Sequence, residues 1–475
     1  MTYVGNALKY VSTRGRAPIL PFDDVLLAGL ADDGGLYVPE TWPRFSRADI
    51  RALRGLPYDE LVTRVMLPFV SGSIPAPEFA AIVKEAYAGF DHSAVAPLKQ
   101  IAADHWLLEL FHGPTLSFKD YALQVVGRLF DHVLTKRGRR VTIVGATSGD
   151  TGSAAIHACS GREAIEVFIL HPRGRVSEVQ RRQMTTVQAS NVHNIAVEGT
   201  FDDCQDLVKG LFNDHAFRDQ NRLAAVNSIN WARIMVQTSY YVAAAVALGA
   251  PDRTFTFAVP TGNFGNVFSA YGARNMGIDI DRLIVGTNSN DILARFLASG
   301  TLKMEAVTPT LSPSMDIQIS SNFERLLFDF YDRDGDRLAP VMEEFRDKGE
   351  VSVGDGRWRH IGEIFQGYRM NDDDTKNEIL HLFRTTGEIV DPHSAIGTAS
   401  GRACRDGRDS TLVSVATAHP AKFPDAVEAA VGMRPAMPPS LAALFDKAEV
   451  CSLLPNDLMA VKRFIADRLT ERTAA

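Results

Sequence analysis

Phe111-His112-Gly113-Pro114-Thr115-Leu116-Ser117-Phe118-Lys119-Asp120 joins two different local patterns. Before it, residues 106–111 are a short apolar run of strand character. After it, residues 121–134 set Leu123, Val126, Leu129, Phe130 and Val133 at helical spacing. Lys119 therefore stands where a loop turns into a helix. The positive end of the helix macrodipole lies there, so an ammonium is disfavoured. Folding alone prefers Asp, Ser or Thr at such a place. The position favours the neutral amine, the form that attacks a carbonyl. Lys119 is on these grounds a candidate nucleophile.

Residues 140–145 (Arg-Val-Thr-Ile-Val-Gly) read as a buried strand, followed by Ala146-Thr147-Ser148-Gly149-Asp150-Thr151-Gly152 and a small-residue helix at 153–160. Hydroxyls and glycines between a strand and a helix start make an anion cradle of backbone N–H groups. A second cradle follows the apolar strand Phe255–Pro260, at Thr261-Gly262-Asn263-Phe264-Gly265-Asn266. Two such turns and an activated lysine point to a phosphorylated cofactor and an anionic substrate.

The chain has 475 residues, 45% hydrophobic and 23% charged, an ordinary soluble profile long enough for two or three domains. A net charge of −7 leaves no electrostatic footprint for nucleic acid. The longest apolar run, residues 240–250, is too short to span a bilayer and reads as a buried helix, so no membrane partner is expected. Residues 1–10 have no apolar core of a secretory signal. Cys159, Cys204, Cys404 and Cys451 form no CxxC pair and the histidines are scattered, so neither a metal site nor a disulfide framework is expected. A reducing, cytoplasmic location follows.

Residues 1–95 read as a separate, mainly helical domain, with helical periodicity at Tyr58–Val70 and 78–90. Beyond them strand patterns fall at 106–111, 141–145, 165–171, 192–197, 223–227, Phe255–Pro260, 283–287 and 412–417, with helical segments such as 176–187 and 202–212 between. This alternation predicts an α/β fold with doubly wound, mostly parallel sheets. Ligands in such sheets sit at the carboxyl ends of the strands, where the motifs above fall. The expected division is a small α/β domain at 125–225 and a large one at 96–124 and 226–475. Residues 300–380 interrupt the alternation, with a Pro-rich loop at 301–315 and helical patterning at 320–331 and 359–377. They read as a solvated insertion. The tail after Met433 has weak helical patterning and no site chemistry.

In combination the motifs are specific. His112-Gly113-Pro114-Thr115, Phe118-Lys119-Asp120, Thr147-Ser148-Gly149-Asp150-Thr151 and Gly262-Asn263-Phe264-Gly265-Asn266 are joined by Pro313-Ser314-Met315-Asp316-Ile317 and Ala416-Thr417-Ala418-His419-Pro420-Ala421-Lys422-Phe423. Through them the chain resembles the threonine synthase family of fold-type II pyridoxal-phosphate enzymes, with the tryptophan synthase β-like fold, from Asp33-Gly34-Gly35 to about residue 431. The resemblance implies that Lys119 binds the cofactor covalently and then acts as general acid–base. It implies that Gly262, Asn263, Phe264, Gly265 and Asn266 cradle the cofactor phosphate, and that Asp150 lies near the ring's 3′ oxygen. Thr417 is implied at the pyridine nitrogen, where a hydroxyl does not demand a protonated ring. For the substrate, it implies Thr147, Ser148 and Thr151 at the carboxylate and Asn227, Ser228 and Arg233 at a phosphate, which the planar arginine fork suits. The implied reaction takes O-phospho-L-homoserine and water to L-threonine and inorganic phosphate, in a monomer or homodimer. The alternative is a phospholyase of the same fold that yields a 2-oxo acid and phosphate.

Overall fold

The computed structural model describes residues 7–147, 149–224, 228–405, 407 and 409–474. It divides into two compact units, Met1–Ala122 with Ser228–Pro435, and Leu123–Asn227 with Ala436–Ala475. The strands in chain order are β1 Tyr10–Ser12, β2 Tyr37–Pro39, β3 Leu98–Ala102, β4 His105–Glu109, β5 Val141–Ala146, β6 Ile165–Pro172, β7 Val192–Glu198 and β8 Leu223–Ala224. They continue with β9 Phe255–Pro260, β10 Ile280–Thr287, β11 Thr301–Lys303, β12 Glu350–Ser352, β13 Phe365–Arg369, β14 Thr411–Ala416 and β15 Ser452–Pro455.

The first unit is built on a six-stranded sheet in the order β13-β10-β9-β14-β4-β3. All its neighbours are parallel except β3 and β4, which run antiparallel. Every residue of β9 is buried, the continuous apolar pattern of a strand covered on both faces. The register sets Ala416 beside Glu109 and Ser414 beside Ala258. The carboxyl ends of β4, β14 and β9 therefore lie side by side, and they lead into the 111–118 loop, Thr417 and the 261–266 turn.

Residues 7–95, expected as an N-terminal domain, group with this unit. The reason is a shared aromatic core. Trp231, at the start of the helix Trp231–Ala247, packs within 5.7–6.1 Å of the Tyr10, Trp42 and Phe69 rings, measured between centroids.

Residues 300–380 are not the solvated insertion expected. The stretch 359–377 is not one helix, because β13 interrupts it and pairs in parallel with β10 as an outer strand of the main sheet. The helix Phe323–Phe330 is tied to the N-terminal segment by a buried ion pair, Arg14 Nη2 to Glu324 Oε2 at 3.1 Å, and by Arg325 Nε donating to Tyr37 O at 3.1 Å.

The second unit holds a parallel five-stranded sheet in the order β15-β7-β6-β5-β8. The tail expected in the large domain belongs here. β15 adds a strand to β7, and the helix Leu458–Ala474 sends Val461 and Ile465, both fully buried, into a core with Val144, Phe168 and Leu170. Of the strand expected at 223–227, β8 is seen and 225–227 lie outside the described residues. No helix among the described residues is long and apolar enough to cross a membrane.

Candidate active site

Lys119 is the first residue of the helix Lys119–Lys136 and is 8% exposed. The loop before it is held from two sides. The Asp120 carboxylate accepts from Thr115 N and Thr115 Oγ1, both at 2.8 Å, and the fully buried Lys422 donates to Thr115 O at 2.6 Å. Burial pushes the Asp120 carboxyl up to about 6, against the hydrogen bonds from Thr115 and the nearby Lys422 charge. Leu116 takes a left-handed backbone, φ 57°, within this loop. Such a conformation persists in a non-glycine residue only where its surroundings impose it.

The loop runs along the end of β14. Phe118 N donates to Thr417 O at 2.8 Å, Ser117 and Ala418 form an antiparallel bridge, and His419 N donates to Leu116 O at 3.1 Å. Thr417 thus flanks the residue before Lys119. On another side, Lys119 Nζ donates to Ser314 Oγ at 3.4 Å. Ser314 in turn lies against the glycine turn after β9: a Cβ on Gly262 would stand 2.9 Å from Ser314 O. Lys119, Thr417 and the Gly262 turn, more than 140 residues apart in sequence, are in this way linked around Ser314 and the end of β14.

The turn itself is an anion cradle by geometry. Phe264 has φ 61° and immediately precedes the helix Gly265–Asn275. Among the described residues, no hydrogen bond is made to the backbone N–H groups of residues 262–266. These donors and the positive helix end fit a phosphate. Not every side chain in the motif faces that cradle. The Phe264 ring is buried edge-on against Phe323 at 5.0 Å, and Asn266 Oδ1 accepts from Tyr240 Oη and from Tyr241 Oη at 2.7 Å. Asn266 Nδ2, buried and unpartnered among the described residues, remains a donor beside the backbone N–H groups.

Asn322, fully buried, joins this turn to the next loop. Its Nδ2 donates to Asn263 O at 2.9 Å and to Ser228 O at 3.1 Å. From there the chain enters the helix Trp231–Ala247, capped by Asn230, whose side chain accepts from Ala232 N at 3.0 Å. Arg233 lies in its first turn, 4% exposed, with Nε and Nη1 buried and unpartnered among the described residues. Desolvation brings its guanidinium down to about 10, so it remains charged at neutral pH. A buried, charged fork with two open N–H groups has the chemistry of an anion receptor.

A second cluster stands in the second unit, after β5. Thr147 Oγ1 accepts from Gly149 N at 3.0 Å and Gly152 N at 2.9 Å, so this oxygen shapes the turn. Gly149 has φ 141°, a conformation that L side chains rarely adopt. Asp150 begins the helix Asp150–Cys159 and accepts from Gln180 Nε2 at 2.9 Å; Thr151 follows, half-buried. Ser148 and Asn227 lie outside the described residues.

Several residues in these networks carried no assignment from sequence: Ser314, Asn322 and Gln180, and the group Asp391, His393 and Ser394 behind Ser314 and Thr417. Ser314 lies in a motif quoted for the resemblance, and its hydroxyl was a visible signal. The others have no local pattern. Among the described residues, no group of three or more His, Cys, Asp or Glu side chains could hold a metal ion.

Comparison with known proteins agrees with this architecture. Residues 9–87 match the family profile of the threonine synthase N terminus, 93–345 that of pyridoxal-phosphate dependent enzymes, and 394–465 that of the threonine synthase C-terminal region. The threonine synthase of Pseudomonas aeruginosa is 55% identical over 460 residues, covering 97% of this chain and 98% of its own. A crystal structure of pyridoxal-phosphate-bound threonine synthase from Brucella melitensis superposes with a TM-score of 0.96 at 52% identity, covering 97% of this chain and 99% of that one. The yeast threonine synthase structure gives 0.94 at 36% identity, with 98% and 100% covered. With a lysine at a helix start, a glycine turn ahead of a second helix and family matches along the chain, this protein belongs to the threonine synthase family of pyridoxal-phosphate-dependent enzymes.

Proposed function

We propose that the protein converts O-phospho-L-homoserine and water to L-threonine and inorganic phosphate. The observation that carries the reading is the linkage of Lys119, Thr417 and the Gly262 turn in one unit. The near-full-length identity to a threonine synthase supports the choice of reaction.

Pyridoxal phosphate, when bound, supplies an electron sink that acidifies the C–H bonds of a substrate amine. This chain's residues supply the rest. The backbone N–H groups of Gly262, Asn263, Phe264, Gly265 and Asn266 would hold the cofactor phosphate, and Thr417 would serve the ring nitrogen. Asp150, held by Gln180, would serve the ring's 3′ oxygen. Lys119 Nζ removes and returns protons at the substrate carbons. Thr147, Ser148 and Thr151 serve the substrate carboxylate, Thr147 chiefly by shaping the turn. Asn227, Ser228 and Arg233 hold the substrate phosphate, and Arg233 brings charge already desolvated. Cytoplasmic residence and a monomeric or homodimeric state belong to this reading.

The test is purified protein with O-phospho-L-homoserine, scoring phosphate and products by mass spectrometry. Threonine and phosphate in equal amounts are expected; phosphate with 2-oxobutanoate and no threonine would mark a phospholyase. Borohydride treatment should fix the cofactor on the peptide that contains Lys119.

A further inference from the structure

Asp391 is fully buried and caps the helix Pro392–Ala403. Its carboxylate accepts four hydrogen bonds, more than a cap requires. Oδ2 takes His393 N at 3.1 Å and His393 Nδ1 at 3.0 Å; Oδ1 takes Ser394 N at 3.0 Å and Ser394 Oγ. The proline at the first helical position has no N–H to satisfy, and the cap reaches the next two amides and the side chains of His393 and Ser394.

The far side of the imidazole decides its tautomer. Ser314 N donates to His393 Nε2 at 3.3 Å. A backbone amide can only donate, so Nε2 accepts, and the ring proton sits on Nδ1 facing Asp391. Ser314 is also confined by the close approach of Gly262 to its carbonyl and by Met315 N donating to Ser312 O at 2.9 Å. With its backbone held on both sides, its hydroxyl lies 3.4 Å from Lys119 Nζ. The second arm of the carboxylate runs through Ser394, whose Oγ accepts from Thr417 N at 3.0 Å.

We propose that Ser314 is a further residue of the acid–base site at Lys119, aimed by the positioning pair Asp391 and His393, and that the same carboxylate holds Thr417 through Ser394. This deepens the reading of Lys119 given above and rests on it. A serine hydroxyl both donates and accepts. It accepts from the Lys119 ammonium and donates to the amine lone pair, and so satisfies Lys119 in both protonation states with no net proton transfer of its own.

Two near-isosteres of His393 dissect the chain. His393→Asn puts an amide nitrogen where Nδ1 stands and keeps the bond to Asp391, but reaches no further. His393→Gln puts an oxygen near Nε2 and accepts from Ser314 N, but loses the Asp391 bond. Holoenzymes of both variants and of Ser314→Ala are compared with wild type by steady-state kinetics, by visible absorbance and circular dichroism of the bound cofactor, and by thermal midpoint. Ser314→Ala and His393→Asn should lower kcat by roughly tenfold or more with KM nearly unchanged, the loss of one charge-assisted hydrogen bond. Both should also alter the cofactor's visible circular dichroism. His393→Gln should recover part of that loss in kcat and part of the wild-type spectrum, because it restores the acceptor for Ser314 N but not the bond to Asp391. Equal behaviour of Asn and Gln, or an unaffected Ser314→Ala, overturns the positioning chain. A wild-type borohydride label on another lysine overturns the assignment of Lys119, and the proposal with it.

Discussion

Replacing Arg233 by methionine should make the protein more stable and far less active. The guanidinium is buried, and two of its nitrogens lack partners among the described residues. Burial lowers it to about 10, which corresponds to about 3 kcal/mol of lost charge stabilisation relative to a solvated arginine. The folded state releases this proton more readily than the unfolded one. Below pH 10 both states are charged, so the cost is felt in full at neutral pH and fades only as pH rises through 10. Methionine keeps much of the aliphatic packing and removes the charge. The thermal midpoint of the cofactor-loaded, substrate-free protein should therefore rise by roughly 4 °C, given the size of the unit that holds Arg233.

If Arg233 receives the substrate phosphate, the variant loses what that cost maintains. Inorganic phosphate at about 100 times its Kd should stabilise the wild type by about 2.7 kcal/mol and should leave Arg233→Met unmoved. Cofactor absorbance and occupancy should be unchanged, while kcat/KM falls roughly 10- to 150-fold. Arg233→Lys should recover only part, because a point charge cannot supply the fork. The assays are thermal unfolding with and without phosphate, cofactor absorbance and steady-state kinetics on the three proteins. A variant that melts at or below wild type and is still stabilised by phosphate would refute the reasoning. Loss of cofactor from Arg233→Met would show that the two phosphate sites have been exchanged.

Thr417→Ala should weaken cofactor binding, measured by absorbance titration, while the fold measured by circular dichroism persists. Thr417→Asp should favour a protonated ring and divert flux toward 2-oxobutanoate, and an unchanged product ratio removes the electronic role of Thr417. Asp120 supplies a pH test. Its folded carboxyl titrates near 6, above the usual carboxylate range, so its stabilisation is fully present below about pH 4 and is lost as pH rises through 6. The stability of wild type relative to Asp120→Asn, measured by urea unfolding, should fall by about 2 kcal/mol between pH 4 and pH 7.

Much of this was legible because it is local. Phe255–Pro260 and Tyr58–Val70 form over the residues expected, since an apolar run and a helical period are properties of neighbours in sequence. Lys119 opens its helix, and the turns at 147–152 and 261–266 follow their strands, because strand-to-helix chemistry is written in consecutive residues. The family motifs are likewise runs of adjacent residues.

Other features came only with the tertiary structure. The sequence Phe-Gln-Gly-Tyr-Arg of β13 has no apolar run and becomes a strand by pairing with β10, some eighty residues upstream. β15 alternates between half-buried and exposed residues and is a strand because β7 offers an open edge. Residues 7–95 group with the large sheet through Trp231, whose indole packs against aromatic rings of the N-terminal segment. Ser314 meets Lys119 across 195 positions and His393 across 79. Hydrogen bonds between such distant residues leave no period or spacing in the chain. The sequence by itself singled out the lysine and the turns that are proposed to carry the chemistry. Only the packed sheet decided what stands beside them, because a buried polar group takes its partner from whatever the fold brings within reach.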